Sequence, residues 1–99
     1  DFIIQAGGKL TDSDGQPAFN SPEGLKALKF INELWEAGVL PPGTTSYWWP
    51  NVGQAFAQGQ AAMAIEFNDF TGLFNDPKQS RVVGNYDIAT IPAGPAGHK

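Results

Sequence analysis

Apolar residues recur at helical spacing in the first half of the chain. Between Pro22 and about Ala37 they follow one another every three or four positions, which predicts an amphipathic helix. The run Asn20-Ser21-Pro22-Glu23 is typical of a helix start, and Gly38 of a helix end. We expect the apolar stripe to be buried, and Trp35, as a member of it, to be a core residue rather than a ligand platform. The stripe consists of Leu25, Leu28, Ile31 and Trp35, widened by Ala27, Phe30 and Leu34.

A second helix, a strand and a polar segment follow in the middle of the chain. Pro50 suits a first helical turn and Gly59 a helix end, so a helix is predicted between them. The next run, Ala61 to Ile65, is apolar throughout, which predicts a strand covered on both faces. Because α/β proteins bind ligands just past the carboxyl ends of buried strands, the residues that follow are ligand-binding candidates. They are Glu66, Phe67, Asn68, Asp69 and Phe70.

The other predicted elements are short. Residues 2–6 end at Gly7-Gly8, where a helix end and a strand end both fit and the helix end is favoured. The string Asp12-Ser13-Asp14-Gly15 predicts a hairpin or turn rather than a calcium loop, since the spaced ligands of such a loop are missing. Residues 68–75 predict a short helix, and residues 86–91 alternate as a strand does.

Composition excludes several classes of function. The net charge of −4 and the lack of a Lys/Arg cluster argue against nucleic-acid binding. The absence of cysteine excludes thiol catalysis, cysteine zinc sites and disulfides. No cofactor or metal motif is found, and the only histidine, His98, lies in a glycine-rich tail. The 99 residues suffice for a single α/β domain, residues 1–99, and a start at Asp1 rather than Met indicates a piece of a longer protein.

Three adjacent aromatic residues, Tyr47, Trp48 and Trp49, stand directly before the second predicted helix. They cannot all face one core, so at least one should be exposed. For the two tryptophans, a ligand contact and a hydrophobic staple onto the helix start are equal alternatives.

Several motifs run in order through nearly the whole chain. They are Gly7-Gly8, Asp12-Ser13-Asp14-Gly15, Phe19-Asn20-Ser21-Pro22-Glu23-Gly24, Pro41-Pro42-Gly43-Thr44-Thr45-Ser46-Tyr47, Ala55-Phe56-Ala57-Gln58-Gly59-Gln60-Ala61-Ala62-Met63-Ala64-Ile65 and Ile91-Pro92-Ala93-Gly94-Pro95. Together they resemble the sugar-binding branch of bacterial extracellular solute-binding proteins. These are the receptors of ABC importers and include maltose- and trehalose-binding proteins.

The resemblance implies part of the C-terminal lobe of a type II periplasmic-binding-protein-like fold, in which the ligand is held between two lobes. In relatives an aromatic residue after the apolar strand stacks on the sugar, which implies Phe67 or Phe70 here. The Gly7-Gly8 turn would lie near the cleft, where bare backbone can approach the ligand. Trp48 or Trp49 would lie near a position that is sometimes a contact.

The function implied by the resemblance is carbohydrate binding without catalysis, and with no cofactor. The parent protein would bind a mono- or oligosaccharide and deliver it to the permease subunits of an ABC importer. It would lie in the periplasm or outside the cell, with or without a lipid anchor. Two alternatives stay open: a carbohydrate-active enzyme whose carboxylates are Glu66 and Asp69, and a free-standing module that forms a homodimer, by exchanging elements between copies.

Overall fold

The computed structural model describes residues 2–97, and its elements are mainly helical. They are α1 (Phe2–Gln5), α2 (Pro22–Glu36), α3 (Trp49–Ala57) and α4 (Thr71–Phe74), with 3₁₀ turns at Thr44–Ser46 and Asn68–Phe70. The chain divides into two compact units, one formed by residues 2–39 with residues 91–97 and the other by Leu40–Thr90. The single domain expected over residues 1–99 stays a prediction.

Local sequence determines both ends of α2. Ser21 precedes the helix with an extended backbone, and its Oγ accepts a hydrogen bond of 3.1 Å from the Gly24 N–H. Pro22 lies in the first turn, where its missing N–H leaves no partner unpaired, and Glu23 places a carboxylate at the positive end of the helix dipole. Gly38 follows the helix with φ of 66°, a left-handed conformation. The predicted helix is confirmed at both ends.

The glycine pair after α1 closes a helix. Gly7 N donates to Ile4 O and Gly8 N donates to Ile3 O, each at 2.9 Å. These two hydrogen bonds form a Schellman motif, in which Gly7 has φ of 93°. Of the two alternatives for residues 2–6, the favoured helix end is therefore confirmed and the strand end is wrong.

The predicted acidic turn is also confirmed. Asp12 Oδ1 accepts hydrogen bonds from the backbone N–H groups of Asp14 at 2.9 Å and Gln16 at 2.8 Å. Thr11 and Pro17 then form a single antiparallel bridge. An Asx-type turn of this kind uses the carboxylate to hold the backbone.

The apolar stripe of α2 is largely exposed, so the prediction that it forms a core, with Trp35 inside, is wrong for the described residues. Its exposed residues are Leu25, Leu28, Phe30, Ile31 and Trp35. Ala27 is buried and Leu34 is half-buried, and Phe30 makes an edge contact with Phe2 at 5.5 Å between ring centroids. The reason is length: α1 has four residues and α2 has fifteen, so α1 covers only part of the stripe.

The second unit has an aromatic core between α3 and α4. Ala57, Phe70 and Phe74 are buried in it. The half-buried residues packed against them are Phe56, Leu73, Val82 and Tyr86. The ring of Phe74 lies 5.0 Å from Phe56 and 5.4 Å from Tyr86, centroid to centroid, both in the edge-to-face arrangement that aromatic pairs favour. The two helices predicted in this part of the chain are confirmed.

The two predicted strands are not formed within residues 2–97. Residues 61–65 have no strand pairing, and Met63 and Ile65 are 86% and 53% exposed. Residues 86–91 are likewise unpaired. A strand needs a neighbour to pair with its backbone and cover its side chains, and an apolar run alone does not supply one. The strands predicted at residues 61–65 and 86–91 are therefore wrong for the described residues, and the α/β class of the whole lobe stays a prediction.

The loop after α4 is organised by Asp76. Its carboxylate accepts hydrogen bonds from Gln79 Nε2 at 2.6 Å and from Lys78 N at 2.9 Å. The Gln79 bond first, and then the Lys78 bond, lower the pKa of Asp76 from its ordinary value of 3.8. Arg81 N donates to Ala57 O at 2.8 Å, so the loop is joined to the end of α3.

Replacing Asp76 with asparagine should make the melting temperature less dependent on pH in the acid range. The folded-state pKa lies below the unfolded value near 3.8, so the ionised carboxylate stabilises the fold above that pH. That stabilisation is lost as the pH falls through the folded-state pKa. Melting temperatures measured from neutral pH to about pH 2 should therefore fall more steeply for the wild type than for Asp76→Asn. Asp14→Asn, in an exposed turn, is the control, and parallel profiles for wild type and Asp76→Asn would contradict the expectation.

Candidate functional site

Aromatic side chains from two predicted segments meet at the start of α3. We call Trp48, Trp49 and Phe70 the aromatic corner. The ring centroids of Trp48 and Trp49 are 6.2 Å apart, and those of Trp49 and Phe70 are 5.3 Å apart, both edge-to-face. Trp48 is 72% exposed and Trp49 is 48% exposed. The expectation that at least one ring of the aromatic run would be exposed is confirmed.

The start of α3 holds Trp48 by its backbone. Trp48 N donates to Asn51 Oδ1 at 2.9 Å, and Asn51 N donates back to Trp48 O at 2.8 Å. Pro50, in the first turn, needs no acceptor for an N–H. The backbone at Trp48 is therefore anchored, while its side chain is open to solvent.

Phe70, one of the two candidates for the ring that stacks on sugar, lies in the core of the second unit, and its contact with sugar stays a prediction. It is 9% exposed. One side of it meets Gly53 of α3 so closely that a Cβ at position 53 would overlap the ring. Phe74 stacks on it at 6.1 Å with an interplanar angle of 24°. The ring is therefore packed against α3 and α4.

The other candidates after the 61–65 segment are accessible to different degrees. Phe67 is 72% exposed, and Asn68 and Asp69 are exposed in the 3₁₀ turn. Glu66 is half-buried, and its Oε2 accepts a hydrogen bond of 3.3 Å from Phe67 N. Thr71 Oγ1 donates to the backbone carbonyl of Asn68 at 2.8 Å, and Thr71 N donates to the same oxygen, so the end of the 3₁₀ turn is held by Thr71.

Gly7 and Gly8 lie in the other compact unit, at the end of α1. Gly7 is exposed, and Gly8 is half-buried against Ile3 and Glu23. Their N–H groups are already used by the helix cap described above. Their role as ligand contacts stays a prediction.

The structure has an open groove on α3 that the sequence did not predict. It has a volume of about 170 Å³. Its lining residues are Tyr47, Asn51, Gln54, Ala55, Gln58 and Gln60. The available signal was that Asn51, Gln54 and Gln58 are three and four residues apart and so share a helix face. Amides on an exposed face are common, which is why the pattern did not stand out.

The charged side chains in the sequence that holds the aromatic corner, positions 47–77, are all acidic. Glu66 and Asp69 are the nearby ionisable groups in the sequence, and no lysine or arginine occurs between positions 47 and 77. Within the described part of the chain, no group of three or more His, Cys, Asp or Glu side chains could hold a metal ion. His98, the only histidine, lies outside the described residues. Among residues 2–97, none of the helices has the length and apolarity that crossing a membrane requires.

Comparison with known proteins identifies the family. The model of the family described as bacterial extracellular solute-binding protein matches residues 2–99. The chain belongs to this family. The resemblance to bacterial extracellular solute-binding proteins is therefore confirmed. Members of the family bind solutes and are not enzymes, so the prediction of a non-catalytic protein is confirmed as well.

Relatives of this family member occur in several bacteria. A putative binding protein of Brucella abortus is 33% identical over 91 residues, which cover 92% of the chain and 21% of the relative. A probable amino-acid ABC transporter periplasmic-binding protein of Sinorhizobium fredii is 33% identical over 86 residues, covering 87% of the chain and 20% of the relative. The chain thus spans about a fifth of the length of the curated relatives it matches.

Two solved structures share the fold of this family member. An ABC transporter solute-binding protein of Agrobacterium radiobacter, in complex with ribitol, superposes with a TM-score of 0.83 at 36% identity, over 98% of this chain and 24% of that one. Maltose-bound MalE3 of T. maritima superposes with a TM-score of 0.86 at 28% identity, over 99% of this chain and 25% of that one. The helices and loops described here are therefore part of a solute-binding-protein fold.

Proposed function

We propose that this family member forms part of the C-terminal lobe of a receptor for a neutral sugar or polyol. The observation that carries the proposal is that exposed rings and polar side chains directly precede Trp49 and Phe70 in the sequence, and that the rings of these two residues are in contact. Trp48 and Phe67 are each 72% exposed, and Asn68 and Asp69 are exposed beside Phe67 in sequence. Rings cover the apolar faces of a sugar, while amide and carboxylate oxygens accept hydrogen bonds from its hydroxyl groups.

The charges of the site favour a hydroxyl-rich ligand over an amino acid. An amino acid presents a carboxylate, which requires a cationic partner or backbone donors. No lysine or arginine occurs between positions 47 and 77, where the candidate ligand residues after Gly8 are found. The ribitol and maltose in the two similar structures are neutral polyhydroxy compounds, which supports the same class.

The rest of the proposed function concerns the whole receptor. The ligand would be enclosed between two lobes and released to the permease subunits of an ABC importer, with the receptor in the periplasm or at the cell surface. The family and the periplasmic-binding relative support this assignment. A lipid anchor and the homodimer considered from the sequence stay predictions.

Replacing Trp48 with alanine should weaken ligand binding without destabilising the fold. The side chain is 72% exposed, so little packing is lost, whereas an aromatic face against a sugar contributes about 1 kcal/mol, or roughly a fivefold to tenfold change in Kd. The measurement is calorimetric titration of the full-length protein with ribitol and with maltose. Trp35→Ala is the matched control, because Trp35 is also an exposed tryptophan, at 50%, but lies on α2. Equal effects of the two substitutions, or none for Trp48→Ala, would contradict the assignment of Trp48.

A further inference from the structure

Phe70 connects the core of the second unit to the exposed tryptophans. On one side its ring stacks on Phe74, which is itself packed on Phe56 and Tyr86. On the other side it makes an edge contact with Trp49, at 5.3 Å and 78°. A continuous set of ring contacts therefore runs from the buried core to the aromatic corner.

Gly53 allows the Phe70 ring to pack directly against the backbone of α3. A Cβ at position 53 would overlap the Cδ1 and Cε1 atoms of the Phe70 ring. Gly53 is buried within α3, where glycine weakens a helix relative to alanine. The close approach of the ring to the helix backbone gives a physical reason for a glycine there.

We infer that Phe70 and Gly53 are positioning residues, which hold the indoles of Trp49 and, through it, Trp48 in a fixed orientation for the ligand. This inference rests on the proposed function of the aromatic corner. Phe70 does not itself contact the ligand, because its ring is only 9% exposed. It acts by limiting the rotamers of Trp49, whose own ring is packed between Phe70 and Trp48. A pre-oriented ring binds more tightly because less side-chain entropy is lost on binding.

The test compares two leucine substitutions in the full-length protein. Phe70→Leu removes the ring that touches Trp49, whereas Phe74→Leu removes an equally buried ring whose aromatic contacts are Phe56, Phe70 and Tyr86. Two quantities are measured: the fluorotryptophan NMR resonances of Trp48 and Trp49 without ligand, assigned with Trp48→Phe and Trp49→Phe, and the affinity for ribitol and maltose.

We expect Phe70→Leu to shift or broaden the Trp49 resonance and to weaken binding about fivefold. Phe74→Leu should leave the Trp49 resonance unchanged and the affinity within about twofold of that of the wild type. Both variants should lower the melting temperature. Gly53→Ala should reproduce the spectral change of Phe70→Leu with the ring still present. Gly72→Ala should not, because nothing lies near position 72.

Equal spectral and affinity changes in the two leucine variants would overturn the inference, since a general loss of core packing would then explain both. An unchanged Trp49 resonance in Phe70→Leu would also overturn it. If the wild type binds neither probe, the proposed carbohydrate function fails. The NMR comparison without ligand then still decides whether Phe70 and Gly53 position the tryptophans.

Discussion

Replacing Phe74 with alanine is expected to lower the free energy of unfolding by about 3–5 kcal/mol, the usual cost of removing a buried phenylalanine ring. Phe74 is 8% exposed, and its ring contacts those of Phe56, Phe70 and Tyr86. Alanine would leave a cavity where these three rings now meet. Because protein domains are stable by only about 5–15 kcal/mol, the loss would take a large share of the stability of this unit.

Urea unfolding of the full-length protein, followed by near-ultraviolet circular dichroism, measures this effect. Phe67→Ala is the control, because it removes the same ring from a position that is 72% exposed. The control should change the unfolding free energy by less than about 0.5 kcal/mol. A comparable loss of unfolding free energy in both variants would show that Phe74 is not a core residue.

Replacing Gly24 with alanine is the second large expected effect, and it concerns the other compact unit. Gly24 lies in the first turn of α2, and a Cβ there would overlap the carbonyl oxygen of Phe19. That oxygen also accepts a hydrogen bond of 3.0 Å from Ser21 N, so the backbone before the helix is held in place. We expect Gly24→Ala to lower the unfolding free energy by about 1–3 kcal/mol, even though alanine favours helices.

Gly72→Ala is the matched control for this substitution. Gly72 is also a helical glycine, in α4, but it is exposed and has no atom within 4 Å of the Cβ position. Alanine there should raise the unfolding free energy by about 0.5–1 kcal/mol, because glycine disfavours the helix and increases the entropy of the unfolded chain. Chemical unfolding of both variants should thus give effects of opposite sign. Stabilisation by Gly24→Ala would contradict the clash with Phe19.

Local sequence predicts the helices well because their ends depend on neighbouring residues. The Ser21 hydroxyl caps Gly24, and Gly7, Gly38 and Gly59 take the left-handed conformation beyond the ends of α1, α2 and α3. Each of these interactions is made within a few residues of the chain. The family could also be predicted, because its motifs are strings of consecutive residues that can be recognised without knowing the fold.

The candidate site could be predicted in part. The sequence indicates that rings and carboxylates follow the 61–65 segment and that tryptophans precede α3, and the structure brings Trp49 and Phe70 together. The sequence does not distinguish Phe67 from Phe70, because both are phenylalanines in one polar segment. Their different exposures, 72% and 9%, depend on the contact that Phe70 makes with Gly53, seventeen positions earlier.

The sequence by itself therefore determined the helices, their caps, the acidic turn and the membership of a solute-binding family. Only the tertiary structure decided which apolar residues are buried. The stripe of α2 is apolar and yet exposed, and the 61–65 run has the composition of a buried strand and yet no pairing partner in the described residues. Helix ends need only neighbouring residues, whereas burial and strand pairing need a second element from elsewhere in the chain.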